Sequence, residues 1–162
     1  MRLMITDIKE PAAEQTAELR VITDDGTIRP CIGCFGCWVK TPGRCMIKDG
    51  YETTGELLGK CSELILVSRC TYGGFSPFVK NVLDRSISYI SPHFVIRNGE
   101  MHHKRRYLNR IDLSAYFYGE DITEAEKETA QSLLMANALN FDAQVDKILF
   151  FGTAEEARGA LK

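Results

Sequence analysis

Short runs of consecutive apolar residues alternate along the chain with stretches in which apolar residues recur every three or four positions. Uninterrupted apolar runs are typical of strands buried on both faces, and the longer spacing is typical of amphipathic helices. The runs predict strands at Leu3–Ile5, Leu19–Ile22, Leu64–Ser68, Ile111–Tyr118 and Lys147–Phe151. Strands that alternate with helices predict βαβ units and therefore a parallel sheet.

The periodic stretches predict helices, and three of them begin with recognisable capping residues. Ser76 precedes Pro77, which suits an N-cap followed by proline in the first turn. Thr123 and Thr153 are each followed three residues later by glutamate, the pattern of a capping box. The predicted helices are Thr54–Cys61, Pro77–Ile90, Thr123–Leu139 and a final one that begins at Thr153.

This alternation predicts one three-layer α/β domain over residues 1–162, with a doubly wound, parallel, five-stranded sheet. The expected strand order is 2-1-3-4-5, which is common in such sheets. Between the first two strands only Pro11–Leu19 remains for a crossover, so the first helix is expected to be short or missing. Residues 89–107 interrupt the alternation of strands and helices, and Asn98-Gly99 indicates a hairpin there. We expect this excursion to pack against a second subunit.

Charge and composition narrow the range of partners. The 162 residues carry a net charge of −2 at pH 7, and the basic cluster Lys104–Arg106 is short, so no nucleic-acid partner is expected. No apolar stretch approaches the roughly 20 residues of a membrane span, and the first residues indicate a strand rather than a signal peptide. A cytoplasmic protein with reduced cysteines and no membrane partner is therefore expected.

Four of the six cysteines lie close together in a C-x2-C-x2-C-x7-C pattern. They are Cys31, Cys34, Cys37 and Cys45. Two-residue gaps let consecutive thiolates face one centre, and Gly33 and Gly36 allow a tight loop. In a reducing compartment this spacing indicates an iron–sulfur cluster first and a zinc site second. Unmetallated buried thiols and a reactive thiol sensor remain open as alternatives.

The segment Ser68–Pro77 joins a predicted buried strand to a well-capped predicted helix. It therefore lies at the carboxyl edge of the sheet, where ligands bind in open α/β folds. Two glycines let the backbone approach a flat ligand, and two aromatic rings are available to stack on one. The candidate ligand-binding residues are Thr71, Tyr72, Gly73, Gly74, Phe75 and Ser76. The alternative is a plain turn whose rings pack locally.

These segments resemble a known superfamily. Cys31–Cys45 resembles the segment after the second strand of NAD(P)H-dependent FMN reductases of flavodoxin-like fold, and its four cysteines resemble those of the iron–sulfur flavoproteins in that superfamily. Ser68–Arg85 resembles their flavin-contacting loop and the following helix, with Lys80, Asp84 and Arg85 at matching positions. The resemblance covers most of the chain.

The resemblance implies a homodimer or tetramer that binds FMN and passes electrons from NAD(P)H to a small-molecule or protein acceptor. It implies that Thr6 and Thr71–Ser76 bind FMN and that the four cysteines hold an iron–sulfur cluster. It assigns no catalytic residue. We also expect the loop near Tyr72 and the thiols near Cys34 to share one pocket.

The first loop differs from the family pattern, in which small hydroxyl residues and a full helix cradle the FMN phosphate. Here Thr6–Pro11 contains no glycine or serine and carries Asp7 and Glu10. A phosphate dianion favours backbone N–H groups at a helix N-terminus over carboxylates. The alternative function is therefore a non-catalytic binding module that keeps the fold, has lost tight FMN binding, and uses its cysteines as a metal site or inert thiols.

Overall fold

The structure is a computed structural model that describes residues 1–9, 15–97 and 99–161. The strands within these ranges are β1 (Arg2–Thr6), β2 (Leu19–Thr23), β3 (Glu63–Arg69), β4 (Ile90–Arg97), β5 (Glu100–Arg105), β6 (Asp112–Tyr118) and β7 (Gln144–Phe151). The helices are α1 (Gly36–Val39), α2 (Thr54–Leu58), α3 (Pro77–Arg85), α4 (Glu124–Phe141) and α5 (Ala154–Gly159), and a 3-10 helix, Ser86–Tyr89, follows α3.

Five strands form one parallel sheet in the order β2-β1-β3-β6-β7. The predicted strands and the doubly wound order are confirmed, with strand ends within three residues of those expected. β4 and β5 pair antiparallel in a separate two-stranded sheet, which is the hairpin expected within residues 89–107. Leaving that hairpin out of the count gives the order 2-1-3-4-5.

The connection from β1 to β2 is short. β1 ends at Thr6 and β2 begins at Leu19, and residues 7–9 and 15–18 between them are not helical. Residues 10–14, which include Glu10 and Pro11 of the predicted phosphate loop, lie outside the described part of the chain. For those residues the short or missing first helix stays a prediction.

The capping signals form as predicted. Thr123 with Glu126 and Thr153 with Glu156 make complete capping boxes at the starts of α4 and α5. Ser76 Oγ accepts a hydrogen bond from the Val79 backbone N–H at the start of α3. These caps fix where each helix leaves the carboxyl edge of the sheet.

α3 ends earlier than predicted, at Arg85 rather than at Ile90. The Ser86 hydroxyl donates to the Val82 carbonyl oxygen, at 2.6 Å, and the chain tightens into the 3-10 helix. Serine side chains that bond back to the preceding turn compete with helical hydrogen bonding. The helix therefore stops beside the cysteine loop described below.

The core lies on both faces of the parallel sheet. Leu3 and Ile5 of β1 belong to the larger apolar cluster with residues of α2, α3 and α4, whereas Met4 belongs to a smaller one with Ala157 of α5. This alternation is expected for a strand that is covered on both faces. The arrangement is three-layered, as predicted. Among the described residues, no helix is both long and apolar enough to cross a membrane.

Candidate functional site

Two adjoining cavities open at the carboxyl ends of the parallel strands. One, of about 490 Å³, lies beside the ends of β1, β3 and β6, and the other, of about 510 Å³, lies beside the ends of β3, β6 and β7. Arg69, Cys70, Tyr118 and Glu126 line both of them. We therefore treat the two cavities as one space and call it the edge recess.

The loop after β3 turns back on itself between Thr71 and Gly74. The backbone N–H of each of these residues donates to the carbonyl oxygen of the other, at 2.9 and 2.8 Å. Between them, Tyr72 and Gly73 have φ angles of 51° and 74°, the two left-handed conformations of a type I′ turn. The turn presents the Tyr72 side chain to solvent beside the edge recess, 91% exposed.

The candidate residues of this loop divide between the recess and the packing of the turn. Thr71, Tyr72 and Ser76 line the edge recess. Gly73 instead lies against α4, where a Cβ would come within 2.6 Å of the Thr129 Cβ. The backbone of the turn is thus braced by α4, and the Tyr72 side chain projects from it into solvent.

Two further candidates lie below the surface. The Phe75 ring is buried in the core and stacks on the Phe117 ring, with centroids 5.2 Å apart. Thr6 is also buried, and its Oγ1 accepts the Ile8 backbone N–H at 3.0 Å. Both side chains serve local packing or backbone hydrogen bonding rather than lining the recess.

Asp7 is a negatively charged residue of the edge recess whose side chain is fixed by two hydrogen bonds. One carboxylate oxygen accepts the Arg69 backbone N–H at 2.9 Å, and the other accepts the Tyr118 hydroxyl at 3.0 Å. Burial, and next the charge of Asp7, raise the pKa of the Tyr118 phenol well above its usual range. The three residues tie together the ends of β1, β3 and β6. Sequence reasoning noted Asp7 as an acidic residue but had no signal for a partner 111 positions away.

Carboxylates outnumber cations among the described residues that line the edge recess. The acidic residues are Asp7, Glu120, Asp121, Glu126 and Glu155, and the basic residue is Arg69. For FMN, the volume of the recess and the exposed Tyr72 ring fit the flat ring system. The carboxylates do not fit its phosphate dianion, which favours cations and free N–H groups.

The four clustered cysteines line a second cavity, of about 60 Å³, with mainly apolar neighbours. Cys31 and Cys34 are exposed, whereas Cys37 and Cys45 are buried. Burial raises the pKa of the Cys37 thiol, and the other three cysteines raise it further. In chemistry this is the donor set of an iron–sulfur cluster. Within the described ranges, however, no three His, Cys, Asp or Glu side chains are grouped so as to hold a metal ion.

The two glycines predicted to permit a tight cysteine loop have separate roles. Gly33 adopts a left-handed φ of 64°. Gly36 approaches the Met46 side chain so closely that a Cβ would overlap it. The loop then enters the four-residue helix α1, which sequence reasoning missed because Gly36–Val39 is too short to show a period.

Arg85, the last residue of α3, organises this loop. Its Nε–H donates to Cys45 Sγ at 3.1 Å, and its terminal nitrogens donate to both Asp49 carboxylate oxygens at 2.6 and 2.9 Å. They also donate to the carbonyl oxygens of Arg29 and Ile47. The guanidinium is fully buried, and its hydrogen bonds lower the pKa of Asp49 to about 2.

A row of rings in contact connects the cysteine loop to the β4–β5 hairpin. Ring centroids are 5.6 Å apart between Phe35 and Trp38, 4.9 Å between Trp38 and His103, and 4.7 Å between His103 and Phe94. The Trp38 indole N–H also donates to the carbonyl oxygens of the chain that enters the hairpin. The loop and the hairpin are therefore packed as one unit.

The edge recess and the cysteine cavity lie at opposite ends of α3. Ser76 and Pro77, at its start, line the recess, whereas Arg85, at its end, lines the cysteine cavity. Nine helical residues span about 13 Å. No described residue lines both cavities. The expectation that Tyr72 and Cys34 share one pocket is therefore wrong within a single chain, because α3 separates the two loops.

A protein of known type matches part of the sequence. An iron–sulfur flavoprotein of Methanocaldococcus jannaschii is 32% identical over 85 residues, which make up 52% of this chain and 43% of that protein. The match therefore spans less than half the length of this curated relative. No protein-family model matches the chain.

Two solved structures resemble the chain over nearly its whole length. The Trp repressor binding protein of Bacillus subtilis has a TM-score of 0.57 at 13% identity and covers 99% of this chain and 96% of its own. An azoreductase of Bacillus anthracis has a TM-score of 0.57 at 11% identity and covers 98% and 93%. With the sheet order, these likenesses confirm the flavodoxin-like α/β fold. The partial sequence match bears out the resemblance to the iron–sulfur flavoproteins of that superfamily.

Proposed function

We propose that the chain is a flavin-dependent oxidoreductase or electron-transfer protein of the FMN reductase type. The observation that carries the proposal is the exposed Tyr72 ring, held by a braced turn beside a recess of about 490 Å³. This recess lies at the carboxyl edge of a doubly wound sheet, where such folds bind ligands. The match to an iron–sulfur flavoprotein supports a flavin as the ligand.

The residues of the recess have distinct roles in this proposal. Tyr72 would stack on the flavin ring, and Thr71 and Ser76 line the recess beside it. The packing of Gly73 against α4 fixes the backbone of the turn from which Tyr72 projects. A bound flavin supplies hydride acceptance and single-electron transfer, while the protein orients the ring.

The finer parts of the proposal are an iron–sulfur cluster on the four cysteines, NAD(P)H as electron donor, and a small-molecule or protein acceptor. The cluster is supported by the four thiols that line one apolar cavity and by the relative's description as an iron–sulfur flavoprotein. Because α3 separates this cavity from the recess within one chain, a homodimer or tetramer would offer a route between them across subunits.

A second candidate function is a non-catalytic binding module that does not hold FMN tightly. The observation that favours it is the excess of carboxylates around the edge recess among the described residues. In this case the cysteines serve as a metal site or as inert thiols. The fold alone does not distinguish the two candidates.

The test is the visible spectrum of the protein after anaerobic purification, followed by titration with flavin. We expect flavin absorption bands, and we expect Tyr72→Ala to weaken flavin binding about tenfold through the loss of stacking. Tyr72→Phe keeps the ring and is the matched control. A colourless protein that binds no added flavin would overturn the proposal.

Metal analysis of the same preparations tests the cluster separately. We expect iron in the wild type and its loss in Cys34→Ser, with flavin binding retained. Cys61 lies in the core outside the cluster, so Cys61→Ala is the matched cysteine control. Zinc in place of iron, or equal metal content in the wild type and Cys34→Ser, would contradict the cluster while leaving the flavin proposal in place.

A further inference from the structure

We infer that the edge recess takes a flavin without a terminal phosphate, such as riboflavin, in preference to FMN, and that Asp7 is a residue that discriminates between them. The inference rests on the proposed function, because it concerns which flavin enters the recess. The starting observation is a mismatch with FMN. The volume of the recess suits the flat flavin ring, but the carboxylates that line it do not suit the phosphate group.

The carboxylate of Asp7 already accepts the hydrogen bonds that a bound anion would need from the same donors. The Arg69 backbone N–H and the Tyr118 hydroxyl both donate to it, at 2.9 and 3.0 Å. A phosphate placed here would have to displace the chain's own carboxylate or bind without these donors. Asp7 thus acts as a built-in anion at the ends of β1, β3 and β6.

The surrounding charges act in the same direction. Glu126 lines both halves of the recess, and Glu120, Asp121 and Glu155 line the half beside β7. Arg69 is the single cation among the described residues of the lining. Because these carboxylates outnumber the one arginine, an anionic ligand meets net repulsion from the described lining, whereas an uncharged ligand does not.

The magnitude of this repulsion is large enough to select between ligands. Even at the dielectric constant of water, a dianion about 6 Å from one carboxylate loses roughly a factor of ten in affinity. The hydroxyl groups of a riboflavin side chain have the opposite preference, because carboxylates accept strong hydrogen bonds from them. The same side chains that repel FMN can therefore hold riboflavin.

The test compares riboflavin and FMN by flavin fluorescence titration of the full chain at low ionic strength. We expect the wild type to bind riboflavin at least tenfold more tightly than FMN. We expect Asp7→Asn to strengthen FMN binding about tenfold and to change riboflavin binding by less than threefold. Glu126→Gln should act in the same direction, and it preserves the capping box because glutamine can replace glutamate there.

Two further measurements separate charge from general structural effects. Added salt should strengthen FMN binding to the wild type, because it screens the repulsion, and should leave riboflavin binding nearly constant. Asp112→Asn is the matched control: Asp112 is exposed at the opposite end of β6, so neither flavin should respond to its loss.

The outcomes distinguish this inference from the proposed function. Tighter binding of FMN than of riboflavin by the wild type, with no gain in Asp7→Asn, would overturn the inference and leave the flavin proposal standing. Failure of the wild type and both variants to bind either flavin would overturn the proposed function and the inference with it. Equal strengthening of both flavins in Asp7→Asn would overturn the discrimination by charge.

Discussion

A guanidinium that is removed from water needs a counter-charge and an acceptor for each donor. Arg85 meets this need with the Asp49 carboxylate, two carbonyl oxygens and the Cys45 sulfur. These partners are Cys45 itself and residues that directly flank the Cys31–Cys45 segment on both sides, so one side chain fixes the cysteine loop against α3. The same contact places a positive charge directly beside one of the clustered thiols.

Removing Arg85 should therefore destabilise the whole fold. Arg85→Ala leaves Asp49 buried without its partner, and we expect a loss of about 3–5 kcal/mol in the free energy of unfolding. Urea titration followed by circular dichroism measures it. Arg44→Ala, which breaks an exposed pair with Glu56, is the control and should lose much less. Similar losses in the two variants would contradict the organising role of Arg85.

The depressed pKa of Asp49 makes stability depend on pH in the acid range. Its pKa is about 2 in the folded protein, against 3.8 without the fold. The contribution is therefore complete above about pH 4 and is lost as the pH falls towards 2, and it amounts to about 2 kcal/mol. Carboxyl NMR titration of the folded protein should show Asp49 titrating near pH 2, and a midpoint near 4 would refute this.

Among the secondary-structure elements, the turn after β3 depends on its contact with α4. Gly73 combines a left-handed φ of 74° with close approach to Thr129 and to the carbonyl oxygen of Glu126. The left-handed conformation alone favours glycine at this position, because other residues rarely adopt it. The contact is a second and independent reason, because it leaves no space for a side chain.

A pair of glycine substitutions separates these two reasons. We expect Gly73→Ala to cost about 3 kcal/mol, from the left-handed conformation and from overlap with α4 together. Gly26→Ala should cost about 1 kcal/mol, because Gly26 has a φ of 79° but nothing within 4 Å of the added Cβ. Urea titration of both variants measures the difference, and equal losses would show that the α4 contact is unimportant.

Sequence patterns predicted elements far better than they predicted contacts between elements. The buried run Leu64–Ser68 and the capping residue Thr123 each carry a local signal, so β3 and the start of α4 appear as expected. The Arg85–Asp49 pair joins residues 36 positions apart, and the separation of the two cavities depends on where α3 stops. Such features arise from packing in three dimensions and leave no local pattern.

At the scale of the whole molecule, the β4–β5 hairpin presents an apolar face. Ile96 and Met101 pair across the two strands and are 67% and 66% exposed, and Phe94 on the same face is 60% exposed. Contiguous exposed apolar side chains are typical of interaction surfaces. This supports the proposal, first made from the sequence, that the hairpin packs against a second subunit.

Charge introduced on this face should weaken self-association. We expect the wild type to form a homodimer or tetramer and Met101→Lys to raise the dissociation constant by roughly tenfold or more, because two-fold symmetry places the lysine in the contact twice. Sedimentation analysis measures it. Met135→Lys changes an exposed methionine on α4 and is the control. A wild type that sediments as a monomer would refute the assembly.

The stacking of Trp38 gives the protein a built-in optical reporter. Trp38 is the chain's sole tryptophan, so the entire indole emission comes from one position, between Phe35 on the cysteine loop and His103 on the hairpin. Metal loading at the thiols and docking of a second subunit at the hairpin should each alter its wavelength or intensity. One fluorimeter trace can therefore follow both events without any added label.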